Sequence, residues 1–128
     1  MEIKEIKEKI KNIKVLFVDD EPAIRKGTGD FLTKFFDNVF ICDNGLDGLK
    51  TFQENPDITL VMSDIIMPQM NGMDMVTKIK EINPNIFVIF ITASRGSIQE
   101  VEEMSDMYIK KPLTYDNLIN ILEKVSKI

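Results

Sequence analysis

The chain has no histidine, only one cysteine and no long apolar run. Without histidine it lacks the commonest metal-binding imidazole, the usual general base near neutral pH and any site for a phosphohistidine. The single cysteine, Cys42, excludes an internal disulfide, and its place in the apolar run VFIC predicts a buried, reduced thiol. No segment approaches the length of a membrane span and no secretory signal is visible, so we expect a cytoplasmic protein without a membrane partner.

The composition is that of an ordinary globular domain with an acidic body. The 128 residues are 44% apolar and 29% charged, which suits one domain with one good core. Residues 1–14 carry five Lys and three Glu, a charge of +2. The net charge of the chain is −5, so residues 15–128 carry −7. An acidic body argues against direct nucleic-acid binding, because phosphate contacts require clustered Lys and Arg.

Residues 1–13 predict an amphipathic helical extension that precedes the domain proper, residues 14–128. The isoleucines recur at intervals of three, four and three, which places them on one helical face. So short a helix is marginal alone, and we expect it to fray or to pack loosely on the domain. A dimer seam or a linker from a longer protein remain alternatives, and the oligomeric state stays open. The isoleucines are Ile3, Ile6, Ile10 and Ile13.

The rest of the chain alternates between short apolar runs and segments with helical periodicity. The last helix begins after a predicted cap at Thr114, and the fourth is a short one that begins at the Ser-x-x-Glu capping box of residues 97–100. Five strands alternating with five helices predict an α/β fold, a doubly wound parallel sheet covered on both faces. The strands are VLFVD, VFIC, ITLVMS, IFVIFIT and MYIK, and the other helices are 22–36, 45–55 and 72–82.

Polar side chains follow four of the five predicted strands. In doubly wound sheets, ligands bind beyond the carboxyl ends of the strands, so these side chains should share one edge. Each has a purely structural explanation as well: an aspartate that caps a turn, acids that complement a helix N-terminus, or solvated lysines. Their coincidence at one edge favours a site. The residues are Asp19 and Asp20 on strand one, Asp64 on strand three, Thr92 on strand four, and Lys110 and Lys111 on strand five.

Three carboxylates at one edge repel one another and therefore require a cation or shifted pKa values. All-oxygen ligands favour a hard ion such as Mg²⁺, which leaves coordination positions for phosphoryl oxygens. A lysine ammonium and the Thr92 hydroxyl could take the remaining oxygens, an arrangement typical of phosphoryl transfer. Asp64 is the best candidate nucleophile, because its strand is central and the other two acids are neighbours on one loop.

The motifs VDDEP, SDIIMPQMNG, ITA and YIKKP, in this order, resemble the receiver domain of two-component response regulators over about residues 14–126. The resemblance implies a flavodoxin-like sheet of order 2-1-3-4-5 and a phosphoacceptor that is not an enzyme acting on a separate substrate. It also implies Mg²⁺, with Mn²⁺ as a substitute, and a histidine kinase or phosphotransfer protein as donor. By the match, Asp64 is the acceptor, Asp19, Asp20 and the Ile66 carbonyl join it around the metal, and Thr92, Lys111 and Tyr108 form the phosphoryl-binding and switch residues.

Two departures from the family pattern carry expectations of their own. The segment from Thr92 to Lys111 is short and lacks Gly-Ala before the fifth strand, so we expect a stunted or displaced fourth helix on the face that commonly contacts the output. Ile66 is apolar where its side chain would flank the phosphoryl group, so we expect it to position no water and self-dephosphorylation to be slow.

Rival functions fit the motifs less well. A haloacid-dehalogenase-type phosphatase separates its two acids by one residue, and here they are adjacent. A flavin-binding domain would need a loop rich in Ser, Thr or Gly where this chain has Asp-Asp-Glu-Pro. A receiver fold that only binds proteins, without phosphorylation, is the remaining alternative. Because the chain starts with Met and ends on a helix, we favour a stand-alone receiver that controls a protein target over a piece with a covalently linked output domain.

Overall fold

The computed structural model describes residues 2–93 and 98–128, in which helices and strands alternate along the chain. Within these ranges there are five strands and six helices. The strands are β1 (Lys14–Val18), β2 (Asn38–Cys42), β3 (Leu60–Ser63), β4 (Phe87–Thr92) and β5 (Met107–Lys110). The helices are α1 (Ile3–Ile10), α2 (Pro22–Phe35), α3 (Gly45–Glu54), α4 (Gly72–Ile82), α5 (Ile98–Met104) and α6 (Tyr115–Val125).

All neighbouring strands of the sheet are parallel, in the order β2-β1-β3-β4-β5. The register pairs Val18 with Ser63, and Thr92 with Lys110, so the carboxyl ends of these strands lie at one edge. The chain reverses its winding direction between β1 and β3, which is where ligands bind in sheets of this kind. The predicted fold class and strand order are confirmed.

Two hydrophobic clusters, one on each face of the sheet, hold the layers together. Alternate strand residues point to opposite faces, so Leu16 and Val18 join one cluster while Val15 and Phe17 join the other. The first cluster also receives side chains from α3, α4 and α5, and the second receives side chains from α1, α2 and α6. Both faces of the sheet are therefore covered, as buried parallel sheets require.

The N-terminal helix is part of the second cluster, which corrects the expectation of fraying or loose packing. Ile6 and Ile10 are fully buried, and α1 packs against α6. The carbonyl of Lys11 also accepts a hydrogen bond from the Asp37 amide at 2.9 Å, which ties the end of α1 to the end of α2. The two buried isoleucines explain the tight packing, because apolar burial stabilises a helix too short to be stable alone.

Two smaller predictions concern α5 and Cys42. The helix α5, which corresponds to the predicted fourth helix, has seven residues, in keeping with the short segment between β4 and β5. Its predicted capping box begins at Ser97, which lies outside the described residues. Cys42 is only half-buried, contrary to the prediction of a buried thiol, because β2 is an edge strand. Burial still raises the pKa of its thiol, whose sulfur lies 3.3 Å from Thr51 Oγ1.

Candidate functional site

Backbone hydrogen bonds extend the sheet beyond the ends of its strands and thereby position the acidic edge. The Asp64 amide donates to the Val18 carbonyl at 2.9 Å, and the Lys111 amide donates to the Thr92 carbonyl at 2.9 Å. Asp64 and Lys111 are therefore held by the ladder of the sheet even though each follows the last residue of its strand. A rigid element fixes both groups, which suits chemistry that depends on their separation.

The turn after β3 explains why an aspartate followed by Met-Pro and Asn-Gly occurs here. Asp64 Oδ1 accepts a hydrogen bond from the Ile65 amide at 2.7 Å, and the Ile65 carbonyl accepts one from the Gly72 amide at 2.7 Å. A Cβ at Gly72 would lie 2.1 Å from the Asp64 carbonyl oxygen, so only glycine fits. The Asn71 side chain then caps α4 by accepting from the Asp74 amide at 2.8 Å.

One ammonium group joins three carboxylates at this edge. Lys111 Nζ lies 2.9 Å from Asp64 Oδ2, 3.0 Å from Glu21 Oε1 and 3.1 Å from Asp19 Oδ2. Burial alone lowers the pKa of Lys111, but its hydrogen bonds to the carboxylates outweigh burial and raise that pKa. The ammonium is therefore charged throughout the physiological range. Lys110, by contrast, is exposed, so Lys111 is the lysine that the fold brings to the acids.

Asp19 is fully buried and incompletely hydrogen-bonded. Its Oδ1 accepts from the Glu21 amide at 2.9 Å. Its Oδ2 is near Lys111 Nζ, yet the contact lacks hydrogen-bond geometry, and Oδ2 makes no hydrogen bond within the described part of the chain. Burial is the main cause that raises the pKa of Asp19, with the Glu21 amide and Lys111 acting against it. A buried anionic oxygen that contacts an ammonium without a hydrogen bond suits a metal ligand.

The acidic group as a whole has the composition of a hard-cation site. One oxygen from each of its four carboxylates can be chosen so that all lie within 4.8 Å of one another. Oxygen donors without His or Cys are the ligands that Mg²⁺ prefers, and the buried Asp19 oxygen is consistent with such an ion. Ile66, the predicted carbonyl ligand, lies in the turn after Asp64 with its side chain 68% exposed. The four acids are Asp19, Asp20, Glu21 and Asp64.

The two remaining predicted residues lie on β4 and β5. Thr92 is buried at the end of β4, beside the backbone of Lys111. Tyr108 pairs with Phe90 in the sheet and packs, half-buried, against the cluster on the α3, α4 and α5 face. Thr92 is thus at the acidic edge, whereas the Tyr108 side chain packs at the border of that cluster.

Two residues of the site were not predicted as functional from the sequence. Glu21, interpreted there only as an acid at a helix N-terminus, reaches Lys111 just after β5. Arg25 donates from Nη1 to the Asp19 carbonyl at 2.9 Å and so holds the loop that carries the acids. No periodicity of the sequence indicates this contact, because Arg25 bonds a backbone carbonyl in the loop before its helix.

Comparisons with known proteins agree with this geometry. The family model described as "Response regulator receiver domain" matches residues 15–123. Chemotaxis protein CheY of Thermotoga maritima is 33% identical over 119 residues, which cover 89% of this chain and 98% of that protein. A cyclic di-GMP phosphodiesterase of the same organism is 35% identical over 107 residues, covering 81% of this chain but 28% of that protein.

Solved structures match the fold as well. A chain of the CheX-CheY-BeF3-Mg+2 complex from Borrelia burgdorferi superimposes with a TM-score of 0.75 and 28% identity, covering 88% of each chain. None of the helices in the described ranges is both long enough and apolar enough to span a membrane. The family match covers most of the chain and includes every strand from Val15 onward. This chain therefore belongs to the response regulator receiver domains of two-component signalling, and it is CheY-like.

Proposed function

We propose that the chain is a phosphoacceptor in which Asp64 receives a phosphoryl group from the phosphohistidine of a histidine kinase or phosphotransfer protein. The observation that carries this proposal is the contact of Asp64 Oδ2 with Lys111 Nζ at 2.9 Å, within a group of four acids. The chain contains no histidine, so the phosphohistidine must come from another protein or segment. The reaction is a single transfer to the protein itself and not turnover of a separate substrate.

The proposed transfer exchanges one bond to phosphorus for another. An Asp64 carboxylate oxygen attacks the phosphorus, and the new oxygen–phosphorus bond forms as the phosphorus–nitrogen bond to the donor imidazole breaks. The electron pair of the broken bond stays on the imidazole nitrogen of the donor. A proton from solvent then balances the charge, so the imidazole leaves as a neutral ring. Lys111 and the Thr92 hydroxyl would bind phosphoryl oxygens, and Tyr108 would change position as part of the switch.

The proposed metal ligands are Asp19, Asp20, Asp64 and the backbone carbonyl of Ile66. When bound, Mg²⁺ or a substituting Mn²⁺ supplies positive charge that offsets the repulsion between these carboxylates and the incoming phosphoryl oxygens. The acids are suited to this role because the described residues place one ammonium against three of the four carboxylates, so the four acids and Lys111 together carry a formal charge of −3. Among the described residues, one buried oxygen of Asp19 accepts no hydrogen bond, which is consistent with a ligand position.

We place this activity in the cytoplasm, where the phosphorylated domain would bind a protein target or act on a covalently linked output domain. Relatives support either arrangement, since a similar segment makes up nearly all of one CheY and about a quarter of a cyclic di-GMP phosphodiesterase. The acidic body makes direct binding to nucleic acid unfavourable. A change of charge at Asp64 would be transmitted through β3 and the turn that leads to α4.

Intact mass spectrometry after incubation with acetyl phosphate tests the proposal directly. We expect the mass of one phosphoryl group to be added with Mg²⁺ and not with EDTA. Asp64→Ala should abolish the addition, whereas Asp74→Ala, the same change at an exposed aspartate in the first turn of α4, should not. No added mass in the wild type, with Mg²⁺ bound and beryllofluoride also failing to bind, would contradict the proposal and favour a receiver that only binds proteins.

A further inference from the structure

The hydrogen bonds of Lys111 are distributed in an unexpected way. Its ammonium has three N–H donors and three carboxylates within reach. It makes hydrogen bonds to Asp64 and to Glu21, whose side chain is 56% exposed, while its 3.1 Å contact with the buried Asp19 Oδ2 is an ion pair without good hydrogen-bond geometry. A bond to a buried carboxylate stabilises more than one to an exposed carboxylate, so the position of the ammonium favours the weaker partner.

The backbone around Glu21 explains how this partner is presented. Glu21 occupies the N-cap position of α2, but its side chain makes no capping bond, unlike the residues preferred there. Its amide is held by Asp19 Oδ1 at 2.9 Å, and Pro22 follows as the first helical residue. The Glu21 carboxylate is thereby directed across the loop toward β5 instead of back onto its own helix.

We propose that Glu21 is a positioning residue that restrains Lys111 in the unphosphorylated state and so slows phosphorylation of Asp64. The inference rests on the proposed phosphoacceptor function. An incoming phosphoryl group competes with Glu21 for the Lys111 ammonium, and it also meets the negative charge of Glu21. Because the ion pair is exposed on the Glu21 side, it is weak enough for a phosphoryl group to displace. Glu21 thus adjusts the rate of acceptor loading without taking part in the bond exchange.

A competing role for Glu21 predicts the opposite outcome. Glu21 belongs to the group of acids whose oxygens lie close enough to share an ion. If it were a metal ligand, Glu21→Gln would weaken Mg²⁺ binding as strongly as Asp20→Asn does and would slow phosphorylation. If it restrains Lys111, Glu21→Gln should leave Mg²⁺ affinity much closer to that of the wild type and should speed phosphorylation.

The decisive experiment measures the initial rate of phosphorylation at limiting acetyl phosphate and saturating Mg²⁺. We expect Glu21→Gln to be about two- to fivefold faster than the wild type, the range set by an exposed ion pair. Glu54→Gln is the matched control, since this exposed glutamate ends α3 far from the acidic edge, and its rate should equal that of the wild type. An unchanged or slower Glu21→Gln rate overturns the proposal.

A second measurement keeps the two proposals distinguishable. The ammonium resonance of Lys111 in ¹H–¹⁵N spectra of the metal-free protein should move in Glu21→Gln and stay in place in Glu54→Gln, and an unmoved resonance in Glu21→Gln overturns the restraint.

A purely structural role for Glu21 would change stability without speeding phosphorylation. A wild type that takes up no phosphoryl group overturns the phosphoacceptor function and the rate effect together, whereas a labelled wild type with an unaltered variant rate overturns only the role of Glu21.

Discussion

At the scale of single residues, the buried carboxylate of Asp19 sets function against stability. Its charge is removed from water, and one of its oxygens has no hydrogen-bond donor among the described residues. We expect Asp19→Asn to stabilise the metal-free protein by about 1 kcal/mol, because burial disfavours the Asp19 charge more than the Glu21 amide and Lys111 stabilise it. The same variant should lose the stabilisation that Mg²⁺ gives the wild type. Urea unfolding with and without Mg²⁺ measures both effects, and Asp37→Asn, at an exposed site, serves as the control.

The pH dependence of this difference has a defined sign. Burial raises the folded-state pKa of Asp19 above 3.8, so the folded protein binds a proton more readily than the unfolded chain does. The wild type should therefore recover stability as the pH falls through this raised pKa, and the advantage of Asp19→Asn should disappear there. An advantage that stayed constant down to about pH 4 would contradict burial as its cause.

Ile66 is the residue-scale feature expected to control the lifetime of the phosphorylated state. Its side chain is 68% exposed beside the acceptor and cannot hydrogen-bond a water molecule that attacks the phosphoryl group. We expect Ile66→Asn to accelerate dephosphorylation by about three- to tenfold, the effect of one added hydrogen bond. Ile66→Leu keeps the apolar character and should leave the rate unchanged. Decay of the phosphorylated mass after removal of the donor measures these rates, and equal decay of Ile66→Asn and wild type would refute the idea.

At the scale of elements, α1 is not a loosely attached tail, because it contributes side chains to the core. Ile10 is fully buried, whereas Ile3 on the same helix is 47% exposed. Truncating a buried isoleucine to alanine typically costs about 2–5 kcal/mol, so Ile10→Ala should lower the free energy of unfolding by that amount. Ile3→Ala should cost less than about 1 kcal/mol. Similar, small losses for both variants in urea unfolding would restore the interpretation of a frayed helix.

The helices and strands were predictable to the extent that their signals are local. Gly72–Ile82 was predicted with the bounds that the structure has, because a capping asparagine and a following proline mark both ends. Gly29 in α2 was not predictable from local sequence, since its reason lies in a distant part of the chain, whereas a Cβ at Gly27 would meet nothing within 4 Å. A Cβ at Gly29 would lie 2.8 Å from Ile41 Cδ1 on β2, a contact that no local pattern reveals.

At the scale of the whole molecule, the absence of histidine predicts how stability depends on pH near neutrality. Burial raises the pKa of Cys42 above 9.0, and hydrogen bonds to carboxylates raise the pKa of Lys111 above 10.5, so both lie beyond this range. No side chain with an ordinary pKa near 6.5 exists in the sequence. We expect the free energy of unfolding of the metal-free protein to change by less than about 0.5 kcal/mol between roughly pH 6.5 and 7.5. A steep slope in urea unfolding over this interval would show that Asp19 titrates there.

It was predictable that one edge of the sheet would bring together Asp19, Asp64 and Lys111, because a parallel sheet places all carboxyl ends of its strands at the same edge. The choice of Lys111 over Lys110 came from resemblance to the receiver family, and the exposure of Lys110 agrees with it. The contact of Glu21 with Lys111 was not predictable. It depends on the loop conformation and on side-chain direction, which periodicity and strand order do not determine.

The burial of Ile6 and Ile10 has a practical consequence for anyone who produces this protein. The family match spans residues 15–123, and an expression plasmid designed on those limits would omit both isoleucines at one end and Val125 at the other. All three side chains are fully buried. The trimmed fragment would leave apolar surface on α2 and α6 open to water, so poor yield or aggregation of such a fragment would reflect its cloning limits and not the properties of the receiver itself.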